Sequence, residues 1–247
     1  MSVLEELIEE VNADPESIGL ILHGSRGAGV HGADSDYDLV RVVTDDAYSA
    51  RRGRGELREK RPGTPRADVV YASPESLGRQ AAATDGYTPM FVTAQVVADT
   101  DGEVSALVEA IVANAGTRAW EDLDELYDDY LNTFVRSIKA WRRGDELGGR
   151  LQAAHSCLCL IRLLFAAERR QAPYHDQLRV PLLELERAQG WEEGYLADAL
   201  SRVLATGDPE TQQALELRVE AMFDSRGIAH QWGPDDDLLP AKEHRFE

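Results

Sequence analysis

Cysteine is nearly missing from this 247-residue chain. The two present, Cys157 and Cys159, stand two apart in a helical-looking segment, where such positions point to different sides. They suit neither a mutual disulfide nor a shared metal site, and core packing is expected of them. His155 nearby has no second cluster to complete four zinc ligands. Long apolar runs are also wanting, and none is read as approaching the ~18 residues of a membrane span. The N-terminal MSVLEELIEEV is acidic and amphipathic, without the basic and apolar regions of a signal peptide, so the expected location is cytoplasmic. Lysine is scarce, and the basic residues are nearly all arginine. Positive charge is outnumbered: Lys and Arg total 26 against 45 Asp and Glu, a net charge of −19. Such acidity repels phosphate backbones and disfavours a general nucleic-acid binder. It suits a small cationic partner; equally, it serves solubility or life in high salt.

What the chain does have is length for a sizeable core, in one large domain or two small ones. Apolar Leu4, Leu7, Ile8 and Val11 at helical spacing predict a first helix over 3–11. Short buried strands are expected over 18–22, 38–43, 67–71 and 95–98. The polar stretch 45–65 reads as a long loop or hairpin tip. Ser73-Pro74 opens a helix, with Ser73 as N-cap. Another helix is expected over 103–114, and the character changes near Gly116. Beyond it only helical patterns follow, over 121–143, 147–170, 180–188, 193–204 and 209–223, and an acidic tail after Gly233 is expected to be mobile or laid on the surface. No internal repeat is visible. Strands first and helices afterwards predict an α+β chain: a mixed-sheet domain over 1–116 and a helical bundle over 117–247.

The chemistry concentrates in HGSRGAGVHGADSDYDLVRVV, residues 23–43. Asp36 and Asp38 lie two apart at a strand start, so both carboxylates project from one face. Acids that close repel unless a cation sits between them, and a hard ion such as Mg²⁺ prefers that oxygen pair. Gly24 frees the backbone for close approach to an anion, and Ser25 adds a hydroxyl. Asp68, opening a further strand, is the candidate third acid of a two-metal site.

The pieces LILHGS, SDYDLV and RADVVY resemble the nucleotidyltransferase superfamily, with its DNA polymerase β-like core, over about the first 100 residues. The resemblance implies transfer of a nucleoside monophosphate from ATP or another NTP to an acceptor hydroxyl. It implies Asp36, Asp38 and Asp68 holding two Mg²⁺ ions, and Gly24, Ser25 and Arg26 gripping the nucleotide. A core followed by a helical bundle is most like the aminoglycoside (antibiotic) nucleotidyltransferases. In FVRSIKAWRRGDELGGRL, residues 134–151, Arg136, Lys139 and Arg143 share a helix face. Lys139, ahead of Trp141, is similar to the phosphate-contacting lysine of those enzymes; Arg143 is a further nucleotide candidate. Kanamycin-modifying relatives place a glutamate base one turn before that lysine, where this chain has Val135. Asp68 itself, Asp128 or Asp129 would then take the proton. Tyr174 in PYHD is either a stacking surface for the nucleotide base or a loop anchor. Two other readings share the core: a tRNA- or protein-modifying enzyme of toxin–antitoxin type, for which the arginines of 51–66 would form the basic patch, and a non-catalytic nucleotide-binding protein. Acceptor, preferred NTP and oligomeric state are not legible.

Overall fold

A computed structural model describes residues 2–82, 88–233 and 236–246. The chain is α+β and divides into two compact units, Met1–Thr117 with Pro173–Gln177, and Arg118–Ala172 with Leu178–Glu247. Pro173–Gln177, embedded in the helical part of the sequence, is thus counted with the sheet unit.

The first unit begins with α1 (Val3–Ala13), started by a capping box in which Ser2 and Glu5 satisfy each other's backbone amides. Then come β1 (Ser17–His23), the single-turn α2 (Gly24–Gly27), β2 (Tyr37–Val43), α3 (Asp45–Arg54), β3 (Arg58–Arg61), β4 (Ala67–Ala72), α4 (Pro74–Ala82), α5 (Pro89–Val92), β5 (Gln95–Asp99) and α6 (Glu103–Glu121). The five strands lie in the order β3-β4-β2-β1-β5. Only β2 and β4 are parallel; the other pairs are antiparallel, so the sheet is mixed. Alternation along the strands supplies two cores. Leu20, Leu22, Leu39, Val43 and Val69 pack with Leu7 and Val11 of α1 on one face. Ile21, Val40, Val42 and Ala72 pack with Leu77, Phe91, Val104, Val108 and Ile111 on the other.

Two expectations are corrected here. The stretch 45–65 is not one long loop: it holds α3 and the edge strand β3, and only its last residues join the antiparallel β3 and β4. Its helix is written in the ends, with Thr44 as N-cap, Asp45 and Asp46 in the first turn, arginines in the last and Gly55 left-handed at the C-cap. Its apolar periodicity is faint because Ala47 alone is buried. The helix starting at Glu103 runs on to Glu121, and buried Ala115 and Gly116 lie within it. Tertiary packing overrides the glycine's weak propensity. Ser73 does cap α4, its hydroxyl accepting from the Ser76 amide at 3.3 Å.

The second unit is helical: α7 (Leu123–Arg142), α8 (Glu146–Ala167), α9 (Arg179–Gln189), α10 (Tyr195–Thr206), α11 (Pro209–Ser225) and α12 (Leu238–Glu243). Tyr130, Phe134, Phe165 and Phe223 are its largest fully buried side chains. α7 and α8 pack closely, and a Cβ at Gly149 would strike the Trp141 indole at 2.7 Å. By length and composition α8 is apolar enough to cross a membrane, although its sequence is broken by Arg and His; 61% of that stretch is buried inside the protein. Cys157 and Cys159 are free, buried thiols on this helix. The tail is not simply surface chain, because α12 buries Leu238 and Ala241. Pro234, Asp235 and Glu247, also in that tail, lie outside the described residues.

Candidate active site

Strand register builds the site. His23 of β1 pairs with Asp38 of β2, Asp38 with Asp68 of β4, and Asp68 with Lys60 of β3. Neighbouring strands lie about 4.8 Å apart, and paired residues share a face. The result is a row, Lys60–Asp68–Asp38–His23, across four strands. It borders a cleft of about 440 Å³ lined also by Arg58, Val70, Met90 and Tyr174.

Gly24 follows directly, with φ +66°, and a Cβ there would collide with the Asp38 carboxylate. Glycine is therefore required twice, by conformation and by contact. Ser25 lies in the single turn of α2, and its carbonyl accepts from the Val30 amide at 2.9 Å. Arg26 is occupied within its own loop. Its Nε donates to the Ser35 carbonyl at 2.8 Å, and its guanidinium lies 4.1 Å from the Tyr37 ring centre.

Burial pushes the Asp38 carboxyl above the ordinary aspartate range; His23 and Arg66 oppose the rise, and Asp68 and Asp36 add to it. Burial likewise lowers the His23 imidazole, against the pull of Asp38, so it favours the neutral form. Asp68 Oδ1 is buried and has no hydrogen-bond partner. Asp36 differs from both. Its Oδ2 accepts from Arg66 Nε at 2.7 Å and lies 2.6 Å from Arg66 Nη2. Among the described residues no group of three or more His, Cys, Asp or Glu side chains is arranged to hold a metal ion.

The fit to a divalent cation rests on the inner pair. Asp38 and Asp68 offer hard oxygen donors on adjacent strands, one of them buried and unsatisfied, and a cation would relieve both the orphaned oxygen and the mutual repulsion.

The first unit thus brings Gly24, Ser25, Asp36, Asp38, Asp68 and Tyr174 into one neighbourhood, with Tyr174 38% exposed. Lys139 and Arg143 belong to the second unit. There Lys139 Nζ donates to Asp237 Oδ2 at 2.6 Å, and exposed Arg143 is the C-cap of α7. Of the alternative proton acceptors, Asp128 accepts from the Trp232 indole at 2.7 Å. Sequence reading passed over His23, Lys60 and Met90, and took Arg58 and Arg66 only as part of a basic patch for RNA. For His23 a signal exists, since it sits in the strand-to-turn step beside Gly24; Arg58, Lys60 and Arg66 become neighbours through the register of β3 and β4, and Met90 comes from α5.

No protein-family model matches the chain, and no curated protein does. Among solved structures it is similar to a nucleotidyltransferase-like protein from Exiguobacterium sibiricum 255-15. Identity is 15% and the TM-score 0.36, over 96% of this chain and 85% of that one. A likeness at that score leaves the chemistry to the residues themselves.

Proposed function

We propose that this chain is a Mg²⁺-dependent nucleotidyltransferase, moving a nucleoside monophosphate, AMP by preference, from an NTP to an acceptor hydroxyl. One observation carries the reading: Asp38 and Asp68 sit side by side on parallel strands, with a buried unpartnered oxygen, against the Gly24-Ser25 turn. In the reaction the acceptor oxygen attacks the α-phosphorus in line, the bond from that phosphorus to its bridging oxygen breaks, and pyrophosphate leaves. Asp38 and Asp68 would hold the metal, which when bound neutralises charge and acidifies the acceptor hydroxyl. Arg58 and Lys60 border the cleft and make no ion pair among the described residues, so they suit the phosphates. Val70, Met90 and Tyr174 form an apolar wall on which a nucleobase can stack. Neutral His23, beside Asp38, can accept the acceptor's proton at a ring nitrogen. Lys139 and Arg143 stay candidates for the nucleotide through the resemblance alone.

For the acceptor we favour a small polycation of aminoglycoside type, supported by the net charge of −19. The RNA reading loses ground because three arginines of the basic stretch are ion-paired within the fold and a fourth lies over an aromatic ring. Arg51 stacks 4.0 Å from the Tyr71 ring centre, Arg54 pairs with Glu56, Arg61 with Glu10 and Arg66 with Asp36. The test is incubation with each α-labelled NTP, Mg²⁺ and an aminoglycoside panel, followed by pyrophosphate release and product mass. A nucleotidylated aminoglycoside is expected, with acceptor affinity falling as salt shortens the Debye length from ~10 Å at 0.1 M to ~3 Å at 1 M. No pyrophosphate with any NTP and acceptor would sink the reading.

A further inference from the structure

The segments Asp36-Tyr37-Asp38 and Arg66-Ala67-Asp68 run side by side in parallel register, Tyr37 against Ala67 and Asp38 against Asp68. The Tyr37 amide donates to the Arg66 carbonyl at 2.9 Å, which continues the alignment one step back and sets Arg66 beside Asp36. Side chains two apart share a face, so the two ends of this tripeptide pair are unlike. At one end two acids face each other. At the other an acid faces an arginine that reaches a single carboxylate oxygen through both Nε and Nη2. Arg66 also acts at longer range on Asp68 and Asp38, which with Asp36 hold its guanidinium above its ordinary range. The outer acid is satisfied and the inner pair, through Asp68 Oδ1, is not.

We infer that this site binds one divalent cation, between Asp38 and Asp68, and that Arg66 supplies the second positive charge by occupying Asp36. This rests on the metal-dependent reading above and replaces the two ions implied by the resemblance with one ion and a guanidinium. Arg66 is then a specificity-setting residue: it decides how many ions the acids accept and competes for the outer one. The planar fork of arginine suits this role, since it cannot lose its proton and holds a carboxylate through two N–H groups.

The test is Mn²⁺ binding to the full chain without nucleotide, followed by calorimetry and by the loss of the free-ion EPR signal. The wild type should bind one Mn²⁺, and Asp68→Asn should abolish it while the fold, checked by circular dichroism, is kept. Arg66→Gln should bind two, with total affinity raised about tenfold or more, the scale of one charge-assisted contact. Arg66→Lys should stay close to the wild type. Two ions on the wild type, or an Arg66→Gln variant with unchanged stoichiometry and affinity, overturns the inference and leaves the metal-dependent reading standing. No Mn²⁺ on the wild type overturns both.

Discussion

Both faces of the five-stranded sheet carry charged groups and treat them in opposite ways. On the face packed by α1, buried Arg41 reaches Asp14 at 2.8 Å, Glu10 at 3.5 Å and the Ser17 hydroxyl at 2.9 Å. Arg61 shares Glu10 and pairs with Glu59, and Glu59 in turn accepts from the Tyr71 hydroxyl at 2.7 Å. There each charge has its partner within the fold. On the other face Asp38 and Asp68 stand together, one with an orphaned buried oxygen, and the nearest ion pair goes to Asp36. Satisfied networks hold a structure together; a half-satisfied one costs stability unless something else completes it. On the proposed function, the difference separates charge used for folding from charge kept for a ligand.

The sharpest break of this comparison is at the acids. Asp38→Asn and Asp68→Asn should each lower nucleotidyl transfer about a thousandfold or more, since metal and electrostatic terms dominate phosphoryl chemistry. Thermal melts of Asp68→Asn should match or exceed the wild type, because a repelling charge goes. Near-normal turnover in either variant would show that this face is structural after all.

A lone buried acid makes the control. Glu216 of α11 is fully buried beside the Tyr130 hydroxyl, which weighs against the rise of its carboxyl although neither carboxylate oxygen meets a well-formed hydrogen bond. Burial pushes its carboxyl up to about 8, with Lys242 opposing. The folded state therefore holds this proton more tightly than the unfolded one. Its stabilisation is complete below the ordinary value of 4.5 and drains away as pH climbs through about 8. Urea unfolding at about pH 5 and about pH 8.5 should differ by roughly 4 kcal/mol from this group, and Glu216→Gln should remove the difference. A pH-independent wild type would mean that Glu216 is answered by a partner and not by a proton.

On the α1 face the expected loss is structural. Arg41→Met strips Asp14 and Glu10 of their shared cation and should cost about 2–4 kcal/mol, toward the low end because both acids are partly exposed. Chemical denaturation measures it, and transfer per folded molecule should hold. Smallest is the effect at the cleft's apolar wall. The Thr93 hydroxyl donates to the buried Gln177 side chain at 2.7 Å, tying down the short helical turn His175–Gln177 just after Tyr174. Thr93→Val should cost about 1–2 kcal/mol and raise the nucleotide KM a few-fold with kcat unchanged. An unaltered KM would detach Tyr174 from nucleotide binding.

The sequence by itself determined the class of fold and the place of the inner acids at strand starts, because both are local matters. Nearly continuous apolar runs over 18–22 and 38–43 mark strands buried on both faces, and helical spacing after Gly116 marks helices with one buried side. The short strand at Asp68 and the turn at Gly24 are written the same way, in β-branched residues and a glycine at positive φ. α3 and β3 were harder to see, since a helix burying one alanine and an edge strand of REKR have almost no apolar pattern. What only the tertiary structure decided is pairing. No local rule says that β2 lies parallel to β4 and between β4 and β1, and that order alone aligns Lys60, Asp68, Asp38 and His23 in one row. The same register sets Arg66 against Asp36, an ion pair across 30 residues of chain that neither segment announces. Tyr174 reaches the cleft from still farther along the chain, with its neighbour Gln177 tied to Thr93. Local propensity reports what a segment can become; which carboxylate meets a cation and which is left bare depends on strand order, a property of the whole sheet.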